Sequence, residues 1–353
     1  MGLIRKYLSA DGLMTVIKHA LRRAKFKEIK NSEYTWTDCI MSALAVFGFK
    51  MPSLLQFEKE KTSALIKRNL RTLYGVDKAP SDTCMRERLD LITPDQLRRP
   101  FKKIFAYLQR GKVLEKYRYL DGHYIISIDG TGQFSSEKVH CNSCCKKHHR
   151  NGRVEYYHQM LGAVLLHPAY REVIPLAPEP IVKGDGETKN DCERNASKRL
   201  LTDLRREHPH LKILIIEDGL AANFPHLSLL DSLKMNYVIS VKTGDHAFLF
   251  DWIKDLKPNI YRQTEEDGTH HEFKYYDNVP LNDANHHHCV NVIEYWETKK
   301  SGRQQYFSWI TKLAVTEKNI YEIMHEGRSR WRIENETFNT LFRELTDISV
   351  LQM

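Results

Sequence analysis

The sequence lacks an apolar run of about 18 residues, the length that a membrane-spanning helix needs. Charged residues interrupt positions 1–26 too often for the apolar core of a signal peptide. Cysteine is scarce, with seven in 353 residues, and this odd, partly clustered set argues against a secreted disulfide framework. We therefore expect a soluble protein with no membrane partner, located in the cytoplasm with reduced thiols.

Basic residues are concentrated in the first third of the chain. The formal net charge is +9, and residues 1–110 hold 22 Lys or Arg against 11 Asp or Glu. A basic region beside a nearly neutral remainder is typical of a polyanion-binding segment joined to a separate body, with nucleic acid as the default partner. A helical domain that is merely soluble explains the charge equally well.

Apolar and charged residues recur at helical spacing through residues 1–120. The segments Ala79-Pro80-Ser81-Asp82-Thr83 and Thr93-Pro94-Asp95 are loop and N-cap signals, each before a new helix. We predict an all-helical, basic DNA-binding domain over residues 1–120.

The pattern changes at His123, where short β-branched runs begin. Strand-like runs cover 123–129, 160–166, 171–176, 211–219 and 236–242, and helical stretches cover 189–207 and 225–233. Hairpin-like strands followed by strand–helix alternation predict an α/β domain with a mixed sheet, in the order of an RNase H-like core. We assign this RNase H-like domain to 121–242 and 313–353, with a helix over 317–344, and a β-rich insertion to 243–312.

Two of the strand-like runs end in Asp-Gly, at Asp129 and at Asp218. Strand ends deliver side chains to the rim of an α/β sheet, where ligands gather, so the two carboxylates can face each other if their strands are neighbours. The competing interpretation is that each Asp-Gly is only a turn.

A third carboxylate would complete a site for Mg²⁺, which prefers oxygen ligands. Arg330 and Glu334 are four residues apart in the predicted C-terminal helix and would share a face, where the Arg can hold a DNA phosphate beside the carboxylate. A surface ion pair is the alternative.

The segments SIDGTG, LIIEDGL and RSRWRIENETFNTL together resemble DDE transposases of bacterial insertion sequences, in the branch with a Tyr-x-x-Arg-x-x-x-Glu helix and a β-rich insertion. The resemblance covers nearly the whole chain. It implies that Asp129, Asp218 and Glu334 bind two Mg²⁺ (or Mn²⁺) ions for DNA strand cleavage and strand transfer. It also implies that Arg330 binds a phosphate. Glu336 is an alternative third carboxylate, but Glu334 is preferred because it keeps the spacing from the Arg.

The same resemblance implies the protein's partners. They are double-stranded DNA at the element's ends and at the target, and a second copy of the chain in the DNA complex. It places the protein with the nucleoid of a bacterial cytoplasm. Arg328 and Lys242, which follows the 236–242 run, are further DNA-binding candidates, although a solvated Lys explains Lys242 almost as well.

Two features depart from the pattern of that branch. Gly327 stands at the Tyr position, and the Lys that usually follows the Glu is replaced in 338–343. The chain then ends with little room for another domain, which is compatible with a truncated copy. The alternatives are a catalytically impaired or repurposed transposase that only binds DNA, and a nuclease of the same fold without strand transfer.

A Cys- and His-rich segment lies between the first two predicted sheet strands. Cys141, Cys144, His148 and His149 supply ligands that suit Zn²⁺, with Cys145 or His140 as substitutes; a basic loop that contacts DNA without metal is the alternative. Trp296 and Trp309 lie in the insertion, where base stacking is conceivable and core packing is favoured.

Overall fold

The computed structural model describes residues 8–27, 32–142, 144–185 and 189–339. The chain forms two compact units, and the predicted α/β character is confirmed at that level. Within the described residues, the first unit holds those up to Lys116 with short pieces at 175–177 and 335–339; the second holds those in 117–174 and 178–334.

Helices build the first unit within its described residues up to Lys116. They are α1 (Ala10–Arg22), α2 (Trp36–Gly48), α3 (Leu54–Glu60), α4 (Ala64–Asn69), α5 (Asp82–Leu89) and α6 (Pro94–Arg110), with a π turn at Leu70–Tyr74 and a 3-10 turn at Val113–Tyr117.

Capping residues fix where these helices begin. Ser81 accepts from the Cys84 amide, and Thr93 forms a capping box with Gln96, so both predicted N-caps are confirmed. Gly75 ends the π turn at φ 62°, a left-handed conformation that glycine adopts without steric cost.

A hydrophobic core fills the space between α1, α2, α3 and α5. Leu21, Met41, Phe57 and Met85 are all at most 1% exposed within it. Burying such side chains contributes roughly 1.5–3 kcal/mol each, enough to hold short helices that would be marginal alone.

The second unit is organised around one large sheet. Its strands are β1 (Arg118–Tyr119), β2 (His123–Ser136), β3 (Cys145–His148), β4 (Val154–Leu166), β5 (Ile174–Pro175), β6 (Glu179–Ile181), β7 (Ile213–Glu217), β8 (Asn236–Ser240), β9 (Asn259–Thr264), β10 (His270–Pro280), β11 (Cys289–Thr298) and β12 (Gln304–Thr311). Its helices are α7 (Lys189–Glu207), α8 (Phe224–Ser232), α9 (Ala247–Lys254) and α10 (Ile320–Arg328), with 3-10 turns at Leu120–Gly122, Gly219–Ala221, Asp283–Asn285 and Ser329–Trp331. A π turn over Glu334–Phe338 begins at the last residue of this unit.

The strand order is β3-β4-β2-β7-β8-β12-β11-β10-β9, with β5 and β6 also paired to β4. β2 is antiparallel to β4 but parallel to β7, and β7 is parallel to β8. The β9–β12 strands form an antiparallel meander whose last strand pairs with β8. The segment 243–312 therefore extends the sheet of the parallel strands.

Two sequence-based element predictions are corrected. The 171–176 run pairs only at β5, because Pro175 has no N–H to donate to a sheet. The helix predicted over 317–344 is α10 followed by a 3-10 turn and a π turn, and its last residues, from 340, lie outside the described part. None of the helices in the described ranges combines the length and apolar character needed to cross a bilayer.

Candidate active site

Asp129 lies within β2, which continues to Ser136, so the predicted strand end at Asp129 is wrong, whereas Asp218 directly follows the last residue of β7. The two aspartates nevertheless occupy corresponding positions along these adjacent parallel strands. The register between β2 and β7 pairs Ser127 with Ile216, and two further steps along each strand lead to Asp129 and Asp218. All five residues of β7 are buried, and Asp218 follows as the exposed N-cap of the next turn, accepting from the Leu220 amide at 3.0 Å. Both aspartates line one small pocket at this rim of the sheet.

Arg330 joins Asp129 to Glu334. Its Nη1 donates to Asp129 Oδ2 at 2.9 Å and to Glu334 Oε1 at 3.4 Å. Only 13% of the Arg330 side chain is exposed, against 21% for Asp129 and 34% for Glu334, so this cluster is shielded from bulk water. The predicted Arg–Glu spacing therefore delivers both side chains to the first aspartate.

Asp129 is electrostatically unusual. Burial raises the pKa of Asp129 to about 6; the Arg330 guanidinium opposes this shift, and a hydrogen bond with the Glu334 carboxyl adds to it. The Gly130 amide donates to Asp129 Oδ1 at 2.8 Å, which favours the ionised form. Two carboxyls crowded around one guanidinium carry more negative charge than the arginine neutralises.

A local break in the helix places Arg330 in this cluster. Ser329 Oγ donates to the His325 carbonyl at 2.6 Å, a contact with the preceding turn that weakens and bends helices. The chain leaves α10 at Arg328 and passes Arg330 through a 3-10 turn before Glu334 opens the π turn. The two residues stay in contact although they share no continuous α-helix.

A cleft of about 1170 Å³ opens beside the carboxylates. Asp218 lines it together with the cations of Lys242, Arg328 and Arg330. Lys242 is exposed just past β8, as predicted for a residue at the sheet rim. Cations beside carboxylates suit a ligand that carries phosphate, because the cations can bind phosphate oxygens while the carboxylates hold a metal.

Arg328 has a different environment from the one expected of a freely DNA-binding residue. It forms an ion pair with Glu297, which is 8% exposed, and its guanidinium lies 4.9 Å from the centre of the Phe307 ring. Its charge is thus shared with the insertion strands, although the side chain still lines the cleft.

Trp331 is a cleft residue that the sequence patterns did not single out. It is 53% exposed, and the Arg330 guanidinium stacks 4.8 Å from its ring centre. An exposed large aromatic next to the carboxylate cluster offers a surface on which a nucleic-acid base can stack. Its position beside Arg330 in sequence was the available signal.

Trp309 explains why glycine occupies position 327. Trp309 is 2% exposed, which confirms core packing for it, and a Cβ built on Gly327 would overlap its indole nitrogen. A tyrosine therefore does not fit at this position beside Trp309. Trp296 is half-buried, with the Lys274 ammonium 4.9 Å from its ring centre and Tyr306 packed beside it.

A buried ion pair supports the strand end that carries Asp218. Glu217 Oε2 lies 2.6 Å from His226 Nε2, and both side chains are at most 7% exposed. Burial lowers the pKa of His226, but the Glu217 carboxylate raises it by more, so the net shift is upward. Both residues line the pocket shared by the two aspartates, and sequence patterns gave no indication of their pairing.

The Cys- and His-rich segment converges differently from its predicted ligand set. Cys141 and Cys144 lie together with His158 of β4. His149 lies 2.8 Å from Glu155, and His148 is exposed at the end of β3. The substitutes are also placed elsewhere, since His140 stacks on Tyr156 and Cys145 contacts the Ile181 carbonyl.

The helical unit carries a basic groove of its own. α1 and α6 flank a space of about 200 Å³, and the exposed cations along it are His19 when protonated, Arg23, Arg99, Lys103 and Arg110. Arg99 also donates to the Arg23 carbonyl, which holds the two helices' cations close to each other. The cations of this groove are part of the excess of positive charge in residues 1–110.

Comparison with protein-family models finds no match for the chain, and comparison with curated proteins finds none either. The resemblance to insertion-sequence transposases thus remains a prediction from the three motifs.

Proposed function

We propose that this protein is a DNA transposase that cleaves strands at the ends of an insertion sequence and transfers them to target DNA. The observation that carries the proposal is the convergence of Asp129, Glu334 and Arg330 at the sheet rim to which Asp218 also belongs. In the strand order β4-β2-β7-β8, β4 is antiparallel to β2, whereas β2, β7 and β8 are parallel to one another. This arrangement supports an RNase H-like core.

The residues of the cluster fit a divalent metal such as Mg²⁺ or Mn²⁺. Asp129, Asp218 and Glu334 would hold it, since hard cations prefer carboxylate oxygens. Burial raises the pKa of Asp129 to about 6, the expected response of a carboxyl whose charge lacks sufficient compensation. When bound, such ions stabilise the charge that develops on the attacking and leaving oxygens of a phosphodiester.

The chain's own cations would position the DNA. Arg330 keeps Asp129 and Glu334 in one cluster while lining the cleft, and Lys242 lines it from β8, so a phosphate there meets positive charge next to the carboxylates. In cleavage, a water oxygen forms a new bond to phosphorus as the P–O3′ bond breaks, which leaves a 5′-phosphate and a 3′-hydroxyl. In transfer, that hydroxyl bonds to a target phosphorus and loses its proton as the P–O3′ bond of the target strand breaks. Neither step requires a protein nucleophile.

The helical unit would supply binding to the element's ends. Its groove between α1 and α6 carries exposed cations, and neutralising DNA phosphates releases counterions, the main source of sequence-independent affinity. We place the readout of the end sequence in this unit as part of the same proposal, together with a second copy of the chain in the DNA complex.

The test is cleavage of a plasmid that carries the gene with its natural flanking DNA, where the element's ends would lie. We expect nicks at discrete flanking positions with Mg²⁺ or Mn²⁺ and none with EDTA. Asp218→Asn and Glu334→Gln should each lose more than the roughly 10–100-fold that removal of an outer partner of a metal site costs.

Asp251→Asn is the matched control, because Asp251 is an exposed acid on α9 paired with Lys254 away from the cluster. Full activity in this variant shows that loss of one carboxylate charge is not itself inactivating. An intact chain that binds the flanking DNA without cutting it would overturn the enzyme proposal in favour of a DNA-binding protein. Cleavage without joined products would indicate a nuclease.

A further inference from the structure

Two thiols and an imidazole meet at the far end of the β2–β4 hairpin. Cys141 Sγ and Cys144 Sγ are 3.7 Å apart, and each lies 3.3 Å from His158 Nε2. Cys144 is 2% exposed, whereas Cys141 is exposed, so the cluster is open to solvent on one side. These residues are separate from the carboxylate cluster of the proposed active site.

The strand register brings the histidine to the cysteines. β3 pairs with β4 so that Cys145 faces Tyr157, and one step back along β3 and forward along β4 leads to Cys144 and His158. Cys141 approaches through a tight turn in which its amide contacts Cys144 Sγ at 3.3 Å.

The separations match a tetrahedral metal site. With Zn–S near 2.3 Å and Zn–N near 2.0–2.1 Å, tetrahedral geometry puts two sulfurs about 3.8 Å apart and sulfur about 3.6 Å from nitrogen. The observed S–S distance of 3.7 Å agrees, and the S–N distances of 3.3 Å are slightly shorter. The same S–S distance is far longer than the roughly 2.05 Å of a disulfide.

We propose that Cys141, Cys144 and His158 bind one Zn²⁺ ion, with water as fourth ligand. Two thiolates neutralise the ion's charge. Sulfur and nitrogen ligands bind Zn²⁺ in preference to hard cations such as Mg²⁺. Other histidines and cysteines of this segment have other contacts: His149 lies against Glu155, His140 stacks on Tyr156, and Cys145 contacts the Ile181 carbonyl.

The ion would have a structural role, since it would stabilise the end of the hairpin. β2 and β4 are the strands that carry Asp129 and its partner Gly162, and Cys141 and Cys144, which lie between β2 and β3, contact His158 of β4. By linking the two cysteines to His158, the ion would hold this end of the hairpin in one conformation. The same end carries three exposed lysines, Lys138, Lys146 and Lys147. The metal thereby orders a basic tip without taking part in cleavage.

Metal content of the purified full-length protein tests the site, with no cleavage assay involved. We expect about one zinc per chain by mass spectrometry after dialysis. Replacement by Co²⁺ should give the intense visible bands of a tetrahedral site and charge-transfer absorption from two thiolates. His158→Ala and Cys144→Ser should each bind less than about a tenth of the wild-type zinc.

His148→Ala and His149→Ala are the matched controls and should keep full zinc content. His158→Cys serves as the rescue variant, because a third thiolate should retain the ion and strengthen the charge-transfer band of the Co²⁺ form. Zinc-free wild-type protein, or zinc lost from the His148 and His149 variants but kept by His158→Ala, would overturn the proposal. If His158→Ala does not fold, the His158→Cys spectrum decides.

Discussion

Glu326 is a buried acid with unusual surroundings. It is 0% exposed within α10, and within the described part of the chain neither of its carboxyl oxygens has a hydrogen-bond partner. Burial raises the pKa of Glu326 well above its usual range, and the nearby acids Glu322 and Asp121 add to that shift. Tyr119 faces the same group, and burial followed by repulsion from Glu326 and Glu322 raises its pKa to about 12.

This carboxyl should make the protein less stable as pH rises. In the unfolded chain it ionises near its ordinary pKa of 4.5, whereas in the folded state its pKa lies well above that value. Between the two pKa values the wild-type free energy of unfolding should fall by about 1.4 kcal/mol per pH unit from this group. Glu326→Gln removes that slope, and chemical denaturation from pH 5 to 8 measures it.

Glu317→Gln is the control for this measurement, because Glu317 is exposed and the substitution is the same. Its curve of unfolding free energy against pH should run parallel to that of the wild type. The comparison uses slopes, since a buried Gln amide has polar atoms of its own to satisfy. Parallel curves for Glu326→Gln and the wild type would contradict the prediction.

Individual residues differ in how far sequence could predict them. Asp129 and Asp218 were predictable because each ends a β-branched run, and the contact between Arg330 and Glu334 follows from a spacing of four. His158 was not, because it lies 17 residues after Cys141 and reaches it only through strand pairing. A register shift of one residue would turn His158 to the other face of the sheet, and local patterns do not determine register.

Among the elements, α1 and α6 form the best-defined electrostatic feature of the helical unit. Arg23 at the end of α1 and Lys103 in α6 are exposed on the groove. Each phosphate neutralised by such a cation contributes about 0.9 to the slope of log K against log salt concentration. The slope therefore counts contacts that a single affinity value does not.

We expect the Arg23→Ala/Lys103→Ala variant to bind double-stranded DNA with a salt slope smaller by about 2 than the wild type. Its affinity in low salt should also fall. Fluorescence anisotropy with a labelled fragment of the flanking DNA, at several salt concentrations, measures both quantities. The expected loss is similar for unrelated DNA, because these cations contact phosphates and not bases.

Lys67→Ala/Arg68→Ala removes the same charge from α4, where both residues are exposed outside the groove. This variant should keep the wild-type slope. Equal losses from the two double variants would mean that overall charge, and not the groove, accounts for binding.

Element boundaries were predictable where capping chemistry marks them and less so near the active site. The caps at Ser81 and Thr93 are local signals, and the structure uses both. The break after Arg328 depends on Ser329 bonding back to the preceding turn, a contact that competes with helix formation but does not follow from periodicity. Gly327 likewise reflects the space taken by Trp309, which comes from a distant strand.

At the scale of the whole molecule, the change from helical to strand-like patterning at His123 predicted two kinds of architecture, and the chain has both. Sequence also indicated that 243–312 is rich in strands. It could not indicate that these strands continue the sheet of β2, β7 and β8, because the pairing of β12 with β8 joins residues about 70 positions apart. Such non-local contacts are set by the packing of the complete unit.

Because β12 pairs with β8, the inserted segment 243–312 is an integral part of the sheet. Trp309, Ile310 and Thr311 cover one side of β8, and Thr311 Oγ1 donates to the Tyr237 carbonyl at 2.7 Å. Replacing 243–312 by a short linker would expose β8 as a bare, apolar edge, since Tyr237, Val238 and Ile239 are at most 1% exposed. Unprotected edges of this kind recruit further strands, so we expect the shortened chain to aggregate, as measured by light scattering.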